Sequence, residues 1–252
     1  VNSVNEDVVA NITMAGGAKV ISANNVDMRA TGDIALENFD IDSASIDSRE
    51  GHIALNGLIK LESSGSFFAS QGKITMASAA EIEAQRAVSF QARSDLGIST
   101  IRSHNSSIDL TSFQGTINEV VDNEQANIIS SSLSINAQAG IGNQSTLDLE
   151  GVSNLTVISS GSFDLQTSGI INSLDLRLNP LDDSVQYDLR DNSQAKSRLK
   201  FNVDATNGHL NVVELGVVQD SLALALSTDR DLSIGLIETG TGNLALSTIG
   251  DL

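Results

Sequence analysis

The 252-residue chain has no cysteine and no tryptophan, a single proline, a single tyrosine and only 3% aromatic residues. Each shortage excludes something. Without cysteine there is neither a disulfide framework nor a thiolate metal site. A compact globule of this size anchors its core on far more aromatic area than this. Here the apolar 40% is almost entirely Ile, Leu, Val and Ala, which implies a narrow core assembled from small units. No run of about 18 apolar residues occurs, so no membrane insertion of this segment is expected. Cations are also scarce. With 14 Lys and Arg against 32 Asp and Glu, the formal charge is −18, which repels nucleic acid and anionic lipid surfaces. The chain starts at Val1 without a signal-peptide pattern and is read as a fragment of something longer.

What the chain has in quantity is Ser, Asn, Thr, Gly and Asp, arranged in a repeat. A short phrase recurs: glycine, a polar residue, an aliphatic, a small residue, an aliphatic. It stands at Gly32-Asp33-Ile34-Ala35-Leu36, Gly51-His52-Ile53-Ala54-Leu55 and Gly72-Lys73-Ile74-Thr75-Met76. It returns at Gly161-Ser162-Phe163-Asp164-Leu165, Gly208-His209-Leu210-Asn211-Val212 and Gly242-Asn243-Leu244-Ala245-Leu246. A turn residue followed by period-two alternation is a short strand with one buried face. Ile34, Ile53 and Ile74 are 19 and 21 residues apart. A second series, Val26, Ile46, Phe67, Val88 and Ile108, steps by 20, 21, 21 and 20. A third runs through Ile41, Ile59, Ile82 and Ile101.

Three interleaved series with one period predict three strands per repeat, each stacking on its equivalent at about 4.8 Å. The fold expected is all-β: a right-handed parallel β-helix, a three-faced solenoid of roughly 20–22 residues per coil. The second half stretches the period, as in Leu133 to Leu155, Leu210 to Leu232 and Leu222 to Leu244, each 22 residues apart. Roughly eleven or twelve coils would make a rod on the order of 50 Å long.

One stretch breaks the pattern. Residues 177–200 hold the only proline, Pro180, the only tyrosine, Tyr187, and the basic residues Arg177, Arg190, Lys196, Arg198 and Lys200. The organisation expected is therefore coils over 1–176, a loop or excursion over 177–200, and further coils over 201–252. Loops on a rigid scaffold carry specificity, so Tyr187, Arg190, Lys196 and Arg198 are the candidate ligand contacts.

The coil phrase, best seen in Thr241-Gly242-Asn243-Leu244-Ala245-Leu246-Ser247-Thr248, carries a resemblance. So do Ile117-Asn118-Glu119, Ile128-Ile129-Ser130-Ser131-Ser132-Leu133-Ser134-Ile135, Gly140-Ile141-Gly142-Asn143 and Val152-Ser153-Asn154-Leu155. Together they resemble the repetitive segments of large Gram-negative surface and secreted adhesins of the filamentous haemagglutinin type. The resemblance covers most of the chain apart from 177–200. It implies export to the outer surface or beyond, a part in cell adhesion or biofilm, and no catalytic residues to carry over. The partners expected are a host-cell or matrix surface, or neighbouring coils of the same long chain.

Enzyme chemistry has thin support. Parallel β-helices also host polysaccharide-processing enzymes, which need convergent carboxylates. Asp40, Asp42 and Asp47, or Asp182 and Asp183, are the candidates, but Asp40 and Asp42 flank Ile41 as outward residues. His52, His104 and His209 are scattered, and His52 and His209 share a coil position with Asp33, Lys73 and Asn243 that points to solvent. Gly16-Gly17 lacks the lysine and flanks of a phosphate loop. Asp122 with Glu124, or Asp229 with Asp231, could hold calcium only adventitiously. The sequons at Asn11, Asn105, Asn143 and Asn154 matter only in a eukaryotic secretory setting. No catalytic residue, metal ligand or cofactor is therefore assigned. The expectation is a structural stalk, with a binding module using 177–200 as the alternative and a polysaccharide-processing enzyme third.

Overall fold

A computed structural model describes residues 10–104, 106–120, 125–168, 171–179, 186–191, 199–206, 209–217, 223–228, 232–234, 237–238 and 243–248. The described elements are all β-strands, and up to residue 178 every pairing between them is parallel. Three stacks of strands run side by side. The first face stacks Ile12–Thr13, Ile34–Leu36, Ile53–Leu55, Ile74–Met76 and their successors up to Gly140–Ile141. The second stacks Lys19–Ser22, Asn38–Ile41, Leu58–Leu61, Glu81–Ala84 and onward to Leu147–Glu150. The third is a ten-stranded sheet from Val26–Ala30 to Leu244–Thr248. This is a parallel β-helix. Among the described residues, ten strands at about 4.8 Å make a stack of about 45 Å, against the eleven or twelve coils expected.

The alternation does what the sequence requires of it. Ile34, Leu36, Ile53, Leu55, Ile74 and Met76 are each buried to within 1% exposure, with small or polar residues between them facing out. Fully burying one such aliphatic stabilises by roughly 1.5–3 kcal/mol, but only neighbouring coils can supply the cover. Ile34, Ile53 and Ile74 pair directly, as their spacing predicts, and the column continues through Leu96, Ile117 and Ile141 to Phe163.

The other two series need correction. Val26 pairs with Ala44, not Ile46, and Phe67 with Phe90, not Val88. Ile59 pairs with Phe39, not Ile41, and Leu244 with Leu224, not Leu222. Every error is a slip of two residues, which leaves the face unchanged. Gly65 explains the largest confusion. It occupies an inward position between Ala44 and Val88 and offers no side chain, because a Cβ there would press on Leu61 and Phe67. The space goes to Phe67, whose ring stacks on Phe90 at 4.8 Å.

The recurring coil glycine has a different reason. Gly51 and Gly72 have no left-handed backbone to justify them. A Cβ on Gly72 would overlap the carbonyl of Gly51, and one on Gly51 would overlap the backbone of Gly32 and Asp33. The corner is tight because successive coils bring backbone, and the acceptor side chains of Asp33 and His52, directly against the glycine. Buried serines close the same corner from the third face: Ser48 Oγ donates to the Gly32 carbonyl at 2.8 Å and Ser112 Oγ to that of Ser94 at 2.6 Å.

Beyond residue 160 the plan changes. Phe163–Ser168 pairs with both preceding stacks at once, Phe163 with Ile141 and Leu165 with Leu147, so the first two faces merge into one strand. The next strand of the merged face is Gln186–Asp191, parallel to Phe163–Ser168. Leu199–Thr206 then runs antiparallel to it, and His209–Val217 antiparallel again. Afterwards His209–Val217 splits, pairing in parallel with Leu232–Ile234 and with Ile237–Glu238. The third face crosses this region without interruption, Ser173–Leu178 pairing directly with Ala223–Thr228.

The expected 177–200 loop is thus only partly a departure from the coils. Arg177 belongs to the coil strand Ser173–Leu178, and Gln186–Asp191 is a member of the stack. The real irregularity is the antiparallel pair that follows, with two strands of 8 and 9 residues. Its helix-free alternation resembles a coil strand closely enough to hide the reversal of direction.

Candidate functional site

The four candidate contacts are not shown as a cluster. Tyr187 and Arg190 both lie on Gln186–Asp191, where Tyr187 is in register with Phe163 and Arg190 with Gln166. Lys196 and Arg198 lie outside the described residues, as do Pro180, Asp182 and Asp183. Arg177, counted with the basic group, is already engaged. It makes a 2.8 Å ion pair with Asp175 two positions back on the same strand, and that hydrogen bond holds its guanidinium protonated above its usual range.

Of the acidic candidates, Asp40 is engaged in the same way. Asp40 faces out from Asn38–Ile41 and meets Lys19 of the preceding coil at 3.1 Å. It heads a column on the second face that reads Asp40, Lys60, Glu83, Arg102 in direct register. Lys60 meets Glu83 at 3.4 Å, and Arg102 reaches diagonally to Glu81 at 2.6 Å. Each pair is half exposed and contributes little alone. Alternating sign in one register lets each charge face an opposite one across the ladder. Asp42 follows in the turn, where its carbonyl accepts from the Ser63 amide. Asp47 sits in register with Arg29, which is itself paired to Asp27.

His52 is exposed, as expected, but it is not idle. Its Nδ1 accepts the backbone N–H of Lys73 in the next coil at 3.1 Å. The same position does the same work elsewhere: Asn11 Oδ1 accepts from Asp33, Asp33 Oδ1 from His52, and Asp95 Oδ1 from Thr116, each at 2.8 Å. These residues looked too varied to share a role. What they share is an acceptor within reach of the coil above. A second staircase begins the second face. Asn38 donates to the Ala18 carbonyl below and accepts from the Leu58 amide above. Asn127 likewise donates to Ser99 and accepts from Asp148.

One buried acid escaped the sequence reading. Glu119 points inward from Thr116–Glu119, in register with Ile98 at the end of a Leu/Met/Ile column, and is 6% exposed. Its Oε1 accepts from Asn127 Nδ2 at 2.9 Å, while Oε2 has no hydrogen-bond partner among the described residues. The signal was present: Glu119 occupies the slot of Leu36, Leu55 and Met76.

Asp122, Glu124, Asp229 and Asp231 fall outside the described residues, and among those described no three His, Cys, Asp or Glu side chains gather as a metal cluster would require. His104 is exposed, and its amide joins the coil ladder through Ala84. His209 heads the strand His209–Val217. Comparison with known proteins adds no name: no family model, no curated protein and no solved structure matches the chain.

Proposed function

We propose that this chain is a structural stalk segment of a bacterial cell-surface or secreted adhesin, supporting adhesion or biofilm formation rather than catalysing a reaction. The observation that carries this reading is how outward side chains are employed. On the described coils, acids, amides and histidine are tied to neighbouring coils through ion pairs and the two acceptor staircases. Side chains committed to stiffening the stack suit a spacer that holds something else at a distance. Antibodies raised against the purified chain should stain intact source cells. Staining that required permeabilised cells would refute the surface assignment.

A second reading has one observation behind it. The antiparallel pair Leu199–Thr206 and His209–Val217 departs from the coil plan next to the strand bearing Tyr187 and Arg190. A departure that the repeat does not require suits a recognition element. Under this alternative, Tyr187→Ala with Arg190→Ala abolishes binding of the purified chain to host-cell or matrix preparations. Under the stalk reading the substitutions leave any such binding unchanged.

A further inference from the structure

The corner between Ile53–Leu55 of the first face and Leu58–Leu61 of the second is two residues long, Asn56 and Gly57. The fold dictates the glycine. A Cβ there would lie 2.6 Å from Asn38 Oδ1 and 2.8 Å from the Glu37 carbonyl oxygen, both of the coil below, so a side chain would force backbone aside. Asn56 is therefore followed by the one residue that puts no side chain in the way of its own amide. Among the described residues no other asparagine precedes a glycine. Hydrogen bonding separates Asn56 from other asparagines of the coils as well. Asn127 is 2% exposed, with its amide tied to Ser99, Glu119 and Asp148. Asn38 is tied to Ala18 below and to Leu58 above. Asn143 is exposed, but its Nδ2 donates to the Ala139 carbonyl at 3.2 Å and a glutamine follows it. Asn56 is exposed and its amide makes a single contact, a 3.4 Å bond from Nδ2 to Glu37 Oε1. The Gly57 N–H has no acceptor among the described residues.

We propose that Asn56 is a modification site, deamidating spontaneously through Gly57, and that the product loosens this corner. Asparagine is among the chemically labile side chains. The Gly57 nitrogen, losing its proton to hydroxide, attacks the Asn56 Cγ. The Cγ–Nδ2 bond breaks, ammonia leaves with a proton from water, and a cyclic imide closes. Water then adds to either imide carbonyl. The net change is one water consumed and one ammonia released, leaving aspartate at position 56 or its isomer with the backbone routed through Cβ and Cγ. Either product sets a carboxylate where a donor faced Glu37. Glu37 is itself a tie between coils, since its Oε2 accepts the Gly17 amide of the coil below at 3.4 Å. The isomer also lengthens the backbone at a corner with no room for a Cβ. The inference is independent of the adhesin reading and can hold if that reading fails.

Peptide mapping by mass spectrometry on the full 252-residue chain, aged at mildly alkaline pH, provides the test. Aspartate and isoaspartate should accumulate at position 56 faster than at Asn38, Asn127 or Asn143, and faster still as pH rises. Asn56→Gln, which would have to close a larger ring, should lose the product at this position while circular dichroism shows the fold retained. An Asn56 that stays intact while the same chain in urea converts there overturns the proposal, because the fold would then protect it. So does conversion no faster than at the other three asparagines. Asn56→Asp, read by urea unfolding, should lower the midpoint at low salt, and either added salt or Glu37→Gln should recover it. A midpoint equal to the parent's at low salt overturns the loosening.

Discussion

Residues 12–159 and residues 163–217 build the same core by different means. In the first region the coils turn sharp corners between faces, and small devices fix several of them: a close-contact glycine, a buried serine, or an acceptor reaching the next coil. In the second, one long strand spans two faces and the chain doubles back on itself twice. The third face passes through both regions unchanged. One uninterrupted sheet therefore suffices to keep the rod continuous, while the other two faces are free to be rebuilt. The regular region spends its sequence on corners. The irregular one removes them.

The sharpest way to break this comparison is a charge in each core. Ile74→Asp should cost more than about 4 kcal/mol, since an unpaired carboxylate enters an aliphatic column with coils on both sides. Urea unfolding should show it, with hydrogen exchange lost across several coils. Leu189→Asp, at a position 1% exposed in the merged face, should leave protection intact over 12–159. Equal loss of protection from both would mean the regions unfold as one unit.

Next come the corners. Gly72→Ala should cost about 2–4 kcal/mol, because the new Cβ meets backbone that cannot yield. Gly151→Ala, where the strain is a left-handed φ of 71° and the space is open, should cost about 1 kcal/mol. A reversed order in chemical denaturation would show that conformation, not contact, selects the glycines.

Asn127→Ala removes an amide that is 2% exposed and bonds to Ser99, Glu119 and Asp148. A loss of about 2 kcal/mol is expected. Glu119→Leu, by contrast, restores the aliphatic column and should be neutral or stabilising by about 1 kcal/mol. A large loss on Glu119→Leu would mean that the bond from Asn127 outweighs the restored aliphatic contact.

The smallest effects belong to the surface. His52→Ala should cost about 0.5–1 kcal/mol by leaving the Lys73 amide without its acceptor, with His52→Asn restoring most of it. Asp109 lies on the outer side of the third face, and partial burial raises its carboxyl above the usual carboxylate range. A raised folded value means its contribution is fully present below the unfolded value and is lost as pH rises through the folded one. Asp109→Asn should therefore flatten a slight fall in stability between acidic and neutral pH, and a steeper fall would contradict the assignment.

The architecture was legible because burial in a stack demands alternation with a fixed period, and Ile34, Ile53 and Ile74 display it openly. Register was less so. Apolar residues two apart, such as Val88 and Phe90, are equally good inward residues, and only the missing side chain of Gly65 decides between them. The antiparallel pair was illegible for a related reason: alternation records which face is buried, not which way the strand runs. The corner acceptors were hidden by their diversity. Asn, Asp and His share no hydropathy or charge, only a lone pair at the right reach.

Those acceptors give the rod a direction in which damage travels. Each side chain on the first staircase serves the amide of the following coil, never its own: Asn11 serves Asp33, Asp33 serves His52, His52 serves Lys73. A substitution at one corner is therefore felt one coil later along the chain. The amide of residue 52 reports on the chemistry of residue 33, and a map of amide exchange in variants of these three acceptors should appear displaced by one repeat toward higher residue numbers.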